Sequence, residues 1–238
     1  MLVLECVLAM VVFSLALREP IRRWPWVFYL IALVEGLVSI FGAQLFGLAG
    51  PLWASFYTIN RKGILAFGLI TVVMYIGVLK KGSKLRNWLN PIRAQLSIIA
   101  CILFLPHLWL YVGVYTDFLF NGLYRVADNL VVSYALAVIV TVLLVVLGIT
   151  SIHALRRRMD PVRWKQIQRM AYPFFGLIYL HVFIARLRPA FSGAANVFVS
   201  AWPYLLVIGL YAVLRIIRWR LDVNDSRHAE APVAVTAA

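Results

Sequence analysis

Two histidines, His107 and His181, lie inside apolar stretches that are long enough to cross a membrane. His107 follows the basic residue Arg93 by 14 positions, and His181 follows the polar residue Gln168 by 13. At about 1.5 Å per residue, each ring lies roughly 20 Å along its helix from that boundary. If both helices enter from the same face, the imidazoles share one level in a hydrocarbon core about 30 Å thick. Ionisable residues at such depth usually serve a function, and this pair could hold one metal or one haem iron. The alternative is two polar side chains hydrogen-bonded to neighbouring helices.

The composition places the chain in a membrane. Of its 238 residues, 63% are hydrophobic and 13% are charged, a balance that soluble globular domains do not approach. The net charge of +14 is compatible with nucleic-acid binding, but the basic residues cluster in short segments between apolar runs. That pattern is typical of membrane topology, so we expect membrane lipid around the chain and no nucleic-acid partner.

Seven apolar windows predict an all-α fold, a polytopic membrane bundle of about seven transmembrane helices. The predicted spans are 2–17, 26–49, 63–79, 94–115, 129–150, 169–187 and 195–217. The first span is the shortest. It lacks the basic start and the small-residue cleavage site of a signal peptide, so we interpret it as a membrane helix.

The charges between the spans predict the topology. The connections after spans one, three and five and the end of span seven are rich in Lys and Arg, whereas the other connections carry fewer charges. By the positive-inside rule the N-terminus is outside and the C-terminus is cytoplasmic, in a multi-pass protein of a cell membrane, which we expect to be bacterial. Spans four and six then run in the same direction, which is the condition for His107 and His181 to meet.

Three segments carry a resemblance to a known family. They are NPIRAQLSIIACILFLPHLWLY, ITSIHALRRRM and WKQIQRMAYPFFGLIYLH. Together they resemble the ferric-reductase-like transmembrane domain, over about residues 55–190. Within that family the chain is most similar to the bacterial single-domain membrane haem b proteins, such as the membrane haem subunit of the periplasmic methionine sulfoxide reductase system. The resemblance implies histidines on two helices that hold one or two b-type haems and pass electrons across the membrane.

The resemblance also assigns residues and segments. His107 and His181 match the ligand pair of the outer haem. Residues 55–220 form the haem domain, a six-helix core that residues 1–54 extend with N-terminal transmembrane helices, and 221–238 form a disordered cytoplasmic tail. From the residue types alone, apart from the resemblance, Gly176 would leave room for the edge of a macrocycle near His181.

The chain departs from the family pattern at the inner haem. Many relatives have a histidine 13 positions before the one matching His181, where this chain has Gln168. The corresponding place on span four holds Arg93 or Ala94. An amide or a guanidinium is a poor haem ligand. We therefore expect one haem b, or an inner site whose ligation the sequence does not reveal.

Further charged and polar residues have two interpretations each. Arg186 and Arg188 follow His181 on the outer side and are candidate clamps for the haem propionates, or plain interfacial anchors. Glu35, near mid-membrane in span two, could relay a proton, face a quinol, or be a neutral carboxyl bonded to a neighbouring helix. His153, at the inner end of span five, is better explained as an interfacial residue than as a ligand.

The sequence lacks nucleotide-binding motifs such as GxGxxG and Walker A, so we expect this chain alone to bind neither NAD nor FAD. The function it predicts is a membrane-embedded b-type cytochrome, an oxidoreductase subunit without catalytic residues of its own that needs a partner. Its electrons would come from a quinol or a reductase such as a flavoprotein and go to an acceptor on the outer face, for example an exported reductase. One alternative is a haem-free scaffold or assembly subunit; another, a small-molecule transporter, would require inverted repeats that we do not find.

Overall fold

The computed structural model describes residues 2–121, 128–187 and 196–230, and within these ranges all regular structure is helical. Twelve helices are described. They are α1 (Leu2–Ala16), α2 (Arg18–Arg23), α3 (Pro25–Phe46), α4 (Pro51–Arg61), α5 (Ile64–Ile76), α6 (Lys84–Leu89), α7 (Arg93–Asn121), α8 (Asp128–Ser151), α9 (His153–Arg156), α10 (Pro161–Arg169), α11 (Ala171–Ala185) and α12 (Asn196–Glu230). A short 3-10 turn, Asn90–Ile92, joins α6 to α7.

The long apolar helices confirm a multi-pass membrane bundle. Five stretches of the described chain are long and apolar enough to cross a membrane, and the bent pair α4–α5 is a sixth if it counts as one span. The five stretches are Pro25–Phe46, Lys84–Asp117, Asp128–Ser151, Pro161–Ala185 and Ala201–Asp225. Helix α1 has only 15 residues. Because these extend roughly 22 Å, the first predicted span is shorter than a hydrocarbon core of about 30 Å.

The third predicted span, 63–79, contains a helix of only 13 residues, α5. The helix before it, α4, lies in the predicted connection between spans two and three, and α4 and α5 meet at an angle of 52°. The break lies at Gly63, whose φ of +64° is in the left-handed region that a side chain disfavours. The predicted spans do not include α4, because its sequence is more polar than that of α5. The bend brings the end of α4 against the middle of α7, where it becomes part of the candidate site.

The core lies where α5, α7, α8, α11 and α12 pack together. Phe67 on α5 stacks on Phe175 of α11 with ring centroids 6.0 Å apart, and it contacts Tyr204 of α12 at 4.8 Å. All three rings are buried. Many large apolar side chains on the outer faces of the same helices are exposed, for example Val142 and Leu210, as expected where lipid replaces water.

The last helix is longer than the sequence analysis predicts. Helix α12 continues to Glu230, so residues 221–230 are helical where we expected a disordered tail. Arg218 donates a 2.5 Å hydrogen bond to Asp222 one turn later, and Lys81 Nζ lies 3.5 Å from the other oxygen of that carboxylate. The Arg218–Asp222 pair is an i,i+4 pair of the kind that stabilises helices. The Lys81 contact links α12 to the connection after α5. Residues 231–238 lie outside the described part of the chain.

Candidate functional site

His107 is held by a hydrogen bond from its ring to the backbone of α4. It follows the fully buried Pro106 on α7, and its Nδ1 atom lies 2.7 Å from the carbonyl oxygen of Arg61. A carbonyl oxygen only accepts, so Nδ1 carries the proton and donates it. The proton on Nδ1 leaves Nε2 with a free lone pair, which is the form of imidazole that binds metals.

His181 is held in the same way by α8. Its Nδ1 atom lies 2.9 Å from the carbonyl oxygen of Ser133, a residue with no exposed surface. The Ser133 hydroxyl donates to the carbonyl oxygen of His181 at 3.1 Å, which fixes the two helices in register at this level. The carbonyl partner again places the ring proton on Nδ1, so the Nε2 atom of His181 also has a free lone pair.

Both imidazoles line one cavity of about 350 Å³ between α7, α8 and α11, and both also line a smaller adjoining pocket. The residues shared by the two spaces are Lys62, Phe104, His107, Ala137, His181, Val182 and Tyr204. Among the described residues neither Nε2 atom has a hydrogen-bond partner. The structure therefore brings the two histidines predicted from the sequence to one cavity, with the ligating nitrogen of each available.

Two imidazoles fit a haem better than a bare metal ion. A structural zinc site needs about four protein ligands, and the described residues contain no group of three or more His, Cys, Asp or Glu side chains. Haem iron takes only its axial ligands from the protein. A ligating histidine almost always donates a hydrogen bond from its other ring nitrogen, often to a carbonyl or a carboxylate. Both histidines here donate from Nδ1 to a backbone carbonyl. The residues present thus fit an iron held axially by two histidines.

Aromatic rings form one wall of this cavity. From the His107 ring a row of tyrosines runs along α7, with centroid distances of 4.9 Å to Tyr111 and then 6.1 Å to Tyr115. Tyr115 stacks on Tyr134 of α8 at 4.7 Å. All three tyrosines line the cavity. Flat, closely stacked rings suit a planar ligand and help to keep water out of the space.

Two cations lie at the same cavity. Arg186, predicted as a propionate clamp, lines it, whereas Arg188 lies outside the described residues. Lys62 also lines it. The sequence alone did not indicate this position, because Lys62 is one charge in a connection between two predicted spans. A lysine–glycine pair at the start of an apolar span was the available signal. Its position beside His107 depends on the bend between α4 and α5, which hydropathy does not reveal.

The glycine that approaches the site is Gly63 and not Gly176. Open space surrounds Gly176, which is exposed on α11 and does not line the histidine cavity. A Cβ atom on Gly63 would lie 3.3 Å from Cγ of His107. The expectation for Gly176 was wrong because that residue is on the outer face of its helix.

Gln168 and Arg93 line a second cavity of about 400 Å³, nearer the other end of α7 and α11. Ala94 lines it too, and no histidine does. The place that matches an inner haem therefore has space but no imidazole in the described structure. Neither Glu35, whose carboxylate lies beside Asn60, nor the exposed His153 lines either of the main cavities.

Comparison with known proteins gives a family match to the middle of the chain. The model of a family described as ferric reductase like transmembrane component matches residues 62–179. This range contains His107 and ends two residues before His181. A protein of Treponema pallidum (strain Nichols), described as an uncharacterized protein, is 34% identical over 148 residues, which are 62% of this chain and 41% of that relative. The chain thus spans about two fifths of that relative's length. No solved structure matches the chain.

Proposed function

Because the model of the ferric reductase like transmembrane component family matches residues 62–179, we propose that the protein is a b-type membrane cytochrome whose single haem would be held by His107 and His181. It passes electrons from a quinol or a reductase partner to an acceptor on the outer face. The observation that carries this proposal is the matched pair of rings: each Nδ1 donates to a backbone carbonyl while both rings line one cavity.

The bound haem would supply reversible one-electron chemistry, and the protein would hold and orient it. His107 and His181 would ligate its iron. Arg186 and Lys62 would neutralise the propionates, and we propose the same role for Arg188. The tyrosine wall and the apolar residues around it would exclude water, which is one of the ways in which a protein tunes the potential of its iron.

The donor and the acceptor both lie outside this chain. The sequence contains no GxGxxG or Walker A motif, so a flavin or nicotinamide would have to act through a partner flavoprotein. A membrane quinol is the other donor class, because it dissolves in the same bilayer as the bundle. An exported reductase is the proposed class of acceptor, since the histidine cavity lies toward the face that we assign to the outside.

The visible spectrum of the purified protein tests this proposal. We expect a Soret band and, after reduction, the sharp α and β bands of a low-spin b haem. A purified, monodisperse protein without absorbance above the protein bands, even after supply of haem during expression, contradicts the cytochrome. It would leave the haem-free scaffold as the better account.

The proposed orientation predicts which connections face the cytoplasm. Single cysteines at Ser83 and Arg158, in a background with Cys6 and Cys101 replaced by Ala, should react with an impermeant thiol reagent only from the cytoplasmic side. A cysteine at Asp128, at the start of α8, should react only from outside. Labelling of Ser83 and Arg158 variants from opposite faces contradicts the parallel course of α7 and α11.

Gly63→Ala should weaken haem retention. A side chain strains the backbone at φ +64°, and its Cβ atom would lie 3.3 Å from Cγ of His107. The His107 ring must therefore shift away from residue 63. Haem affinity should fall about tenfold, as for other changes behind a metal ligand. Haem per protein after a chase with apomyoglobin measures this, with Gly176→Ala as the matched control. Equal retention by both variants would show that Gly63 does not set the position of His107.

A further inference from the structure

The second cavity, which we call the inner cavity, has no assigned occupant. Its volume of about 400 Å³ is within the range of about 300–1,000 Å³ typical of small-molecule sites. It is enclosed by the first turns of α7, the end of α8, and α10 with the start of α11. Its lining comprises Ile70, Val73, Met74, Asn90, Pro91, Arg93, Ala94, Ser97, Cys101, Leu144, Leu147, Gly148, Ser151, Arg156, Trp164, Gln168, Ala171 and Phe174.

The cavity contains hydrogen-bond donors in the form of two arginines. Arg93 and Arg156 both line it, and no Asp or Glu is part of the lining. Neither arginine takes part in an ion pair within the part of the chain that the structure describes. Arg156 lies over the ring of Trp164 at 4.2 Å, which fixes its guanidinium beside an aromatic surface.

The cavity also contains hydroxyl and carbonyl oxygens that can accept hydrogen bonds. The hydroxyl of Ser97 donates to the carbonyl of Arg93 at 3.1 Å, and that of Ser151 donates to Leu147 at 2.8 Å. The Gln168 amide donates to Thr150 Oγ1 at 2.9 Å, which leaves its carbonyl oxygen to accept. A ligand that fills this space must therefore donate hydrogen bonds at one place and accept them at another.

The inner cavity also adjoins the histidine site. Ile70, Leu144 and Phe174 line both the inner cavity and the pocket between the two histidines. Their side chains therefore form the wall between the two spaces. A redox-active molecule in the inner cavity would be separated from the histidine pocket by a single layer of side chains.

We propose that the inner cavity binds the head group of a membrane quinol. A quinol hydroxyl both donates and accepts, so it can pair with Gln168 or a serine on one side and with Arg93 on the other. A phospholipid phosphate only accepts, so it would use the arginines and leave the acceptors without a partner. This inference rests on the proposed function for its redox meaning, because it places the quinol donor of that proposal, but the binding itself does not require haem.

Photolabelling with an azidoquinol tests the site directly. In the purified protein we expect the label on peptides from the start of α7 and from α10, and competition by a short-chain quinol. Arg93→Met and Gln168→Leu should each reduce labelling about tenfold, which corresponds to the loss of one hydrogen bond to a buried polar group. Arg158→Met removes an exposed arginine outside the cavity and should leave labelling unchanged.

Three results would overturn the inference. They are labelling elsewhere in the chain, labelling unaffected by both cavity variants, and competition by anionic phospholipid without competition by the quinol. The last result would identify the cavity as a lipid-phosphate site. The same labelling in His107→Ala separates this inference from the proposed function. Labelling that persists without haem supports the site alone, and a haem spectrum without labelling refutes the site alone.

Discussion

Replacing either His107 or His181 by alanine should remove most of the haem absorbance that we expect of the purified protein. Each ring donates its Nδ1 proton to a carbonyl and lines the shared cavity, so each variant loses one of the two proposed axial nitrogens. Loss of a strong axial ligand on one face leaves a weakly held, partly high-spin iron. We expect haem content about tenfold below that of the unchanged protein, by analogy with the loss of interactions that support metal ligands.

His153→Ala is the matched control for these variants. His153 is exposed at the start of α9 and lines neither the histidine cavity nor the inner cavity, so its loss should leave the spectrum unchanged. Membrane insertion and size-exclusion profiles of the two site variants show whether the bundle still folds. If well-folded His107→Ala and His181→Ala proteins both keep a full reduced spectrum, the ligand assignment is wrong.

We expect the unchanged protein to carry close to one haem per chain. The inner cavity is large, but its lining contains no histidine, and the position opposite Gln168 is filled by Ala94 or Arg93. A methyl group does not ligate iron, and a guanidinium has no free lone pair to offer. Gln168→His supplies one imidazole without a partner, so it should also give one haem.

Pyridine haemochrome analysis against amino-acid analysis measures this ratio. A ratio near two in the unchanged protein contradicts the single-haem account and directs attention to other nitrogen ligands near the inner cavity. A ratio near two in Gln168→His alone would mean that a second ligand already lies opposite it. Either outcome also bears on the quinol proposal, because a haem in the inner cavity would exclude the head group.

Some of this structure is predictable from the chain because the signals are local. Long apolar runs give the helices, and the polar residues Arg93 and Gln168 at the boundaries of two of them give the levels of His107 and His181. The bend at Gly63 is not predictable in this way, since hydropathy assigns α4 to a connection and does not report the left-handed backbone of the glycine that follows it. With that bend hidden, the Arg61 carbonyl and the Lys62 side chain could not be assigned to the site.

The remaining differences also have physical causes. Ser133 is a polar residue in an apolar span, but its pairing with His181 depends on how α8 packs against α11. Gly176 faces outward, and a single helix does not tell which of its small residues face the bundle. The continuation of α12 to Glu230 depends on Arg218 and Lys81 around Asp222, of which Lys81 is far away in sequence.

Electron paramagnetic resonance of the purified ferric protein tests the central claim most directly, because the signal reports the axial ligands of the iron. Two imidazole nitrogens are strong ligands, so the account predicts a low-spin ferric haem with the g values of bis-histidine ligation. The signal should disappear in both His107→Ala and His181→Ala and persist in His153→Ala. A high-spin signal from the unchanged protein, or a low-spin signal that survives in His107→Ala and His181→Ala, would contradict an iron held between these two histidines.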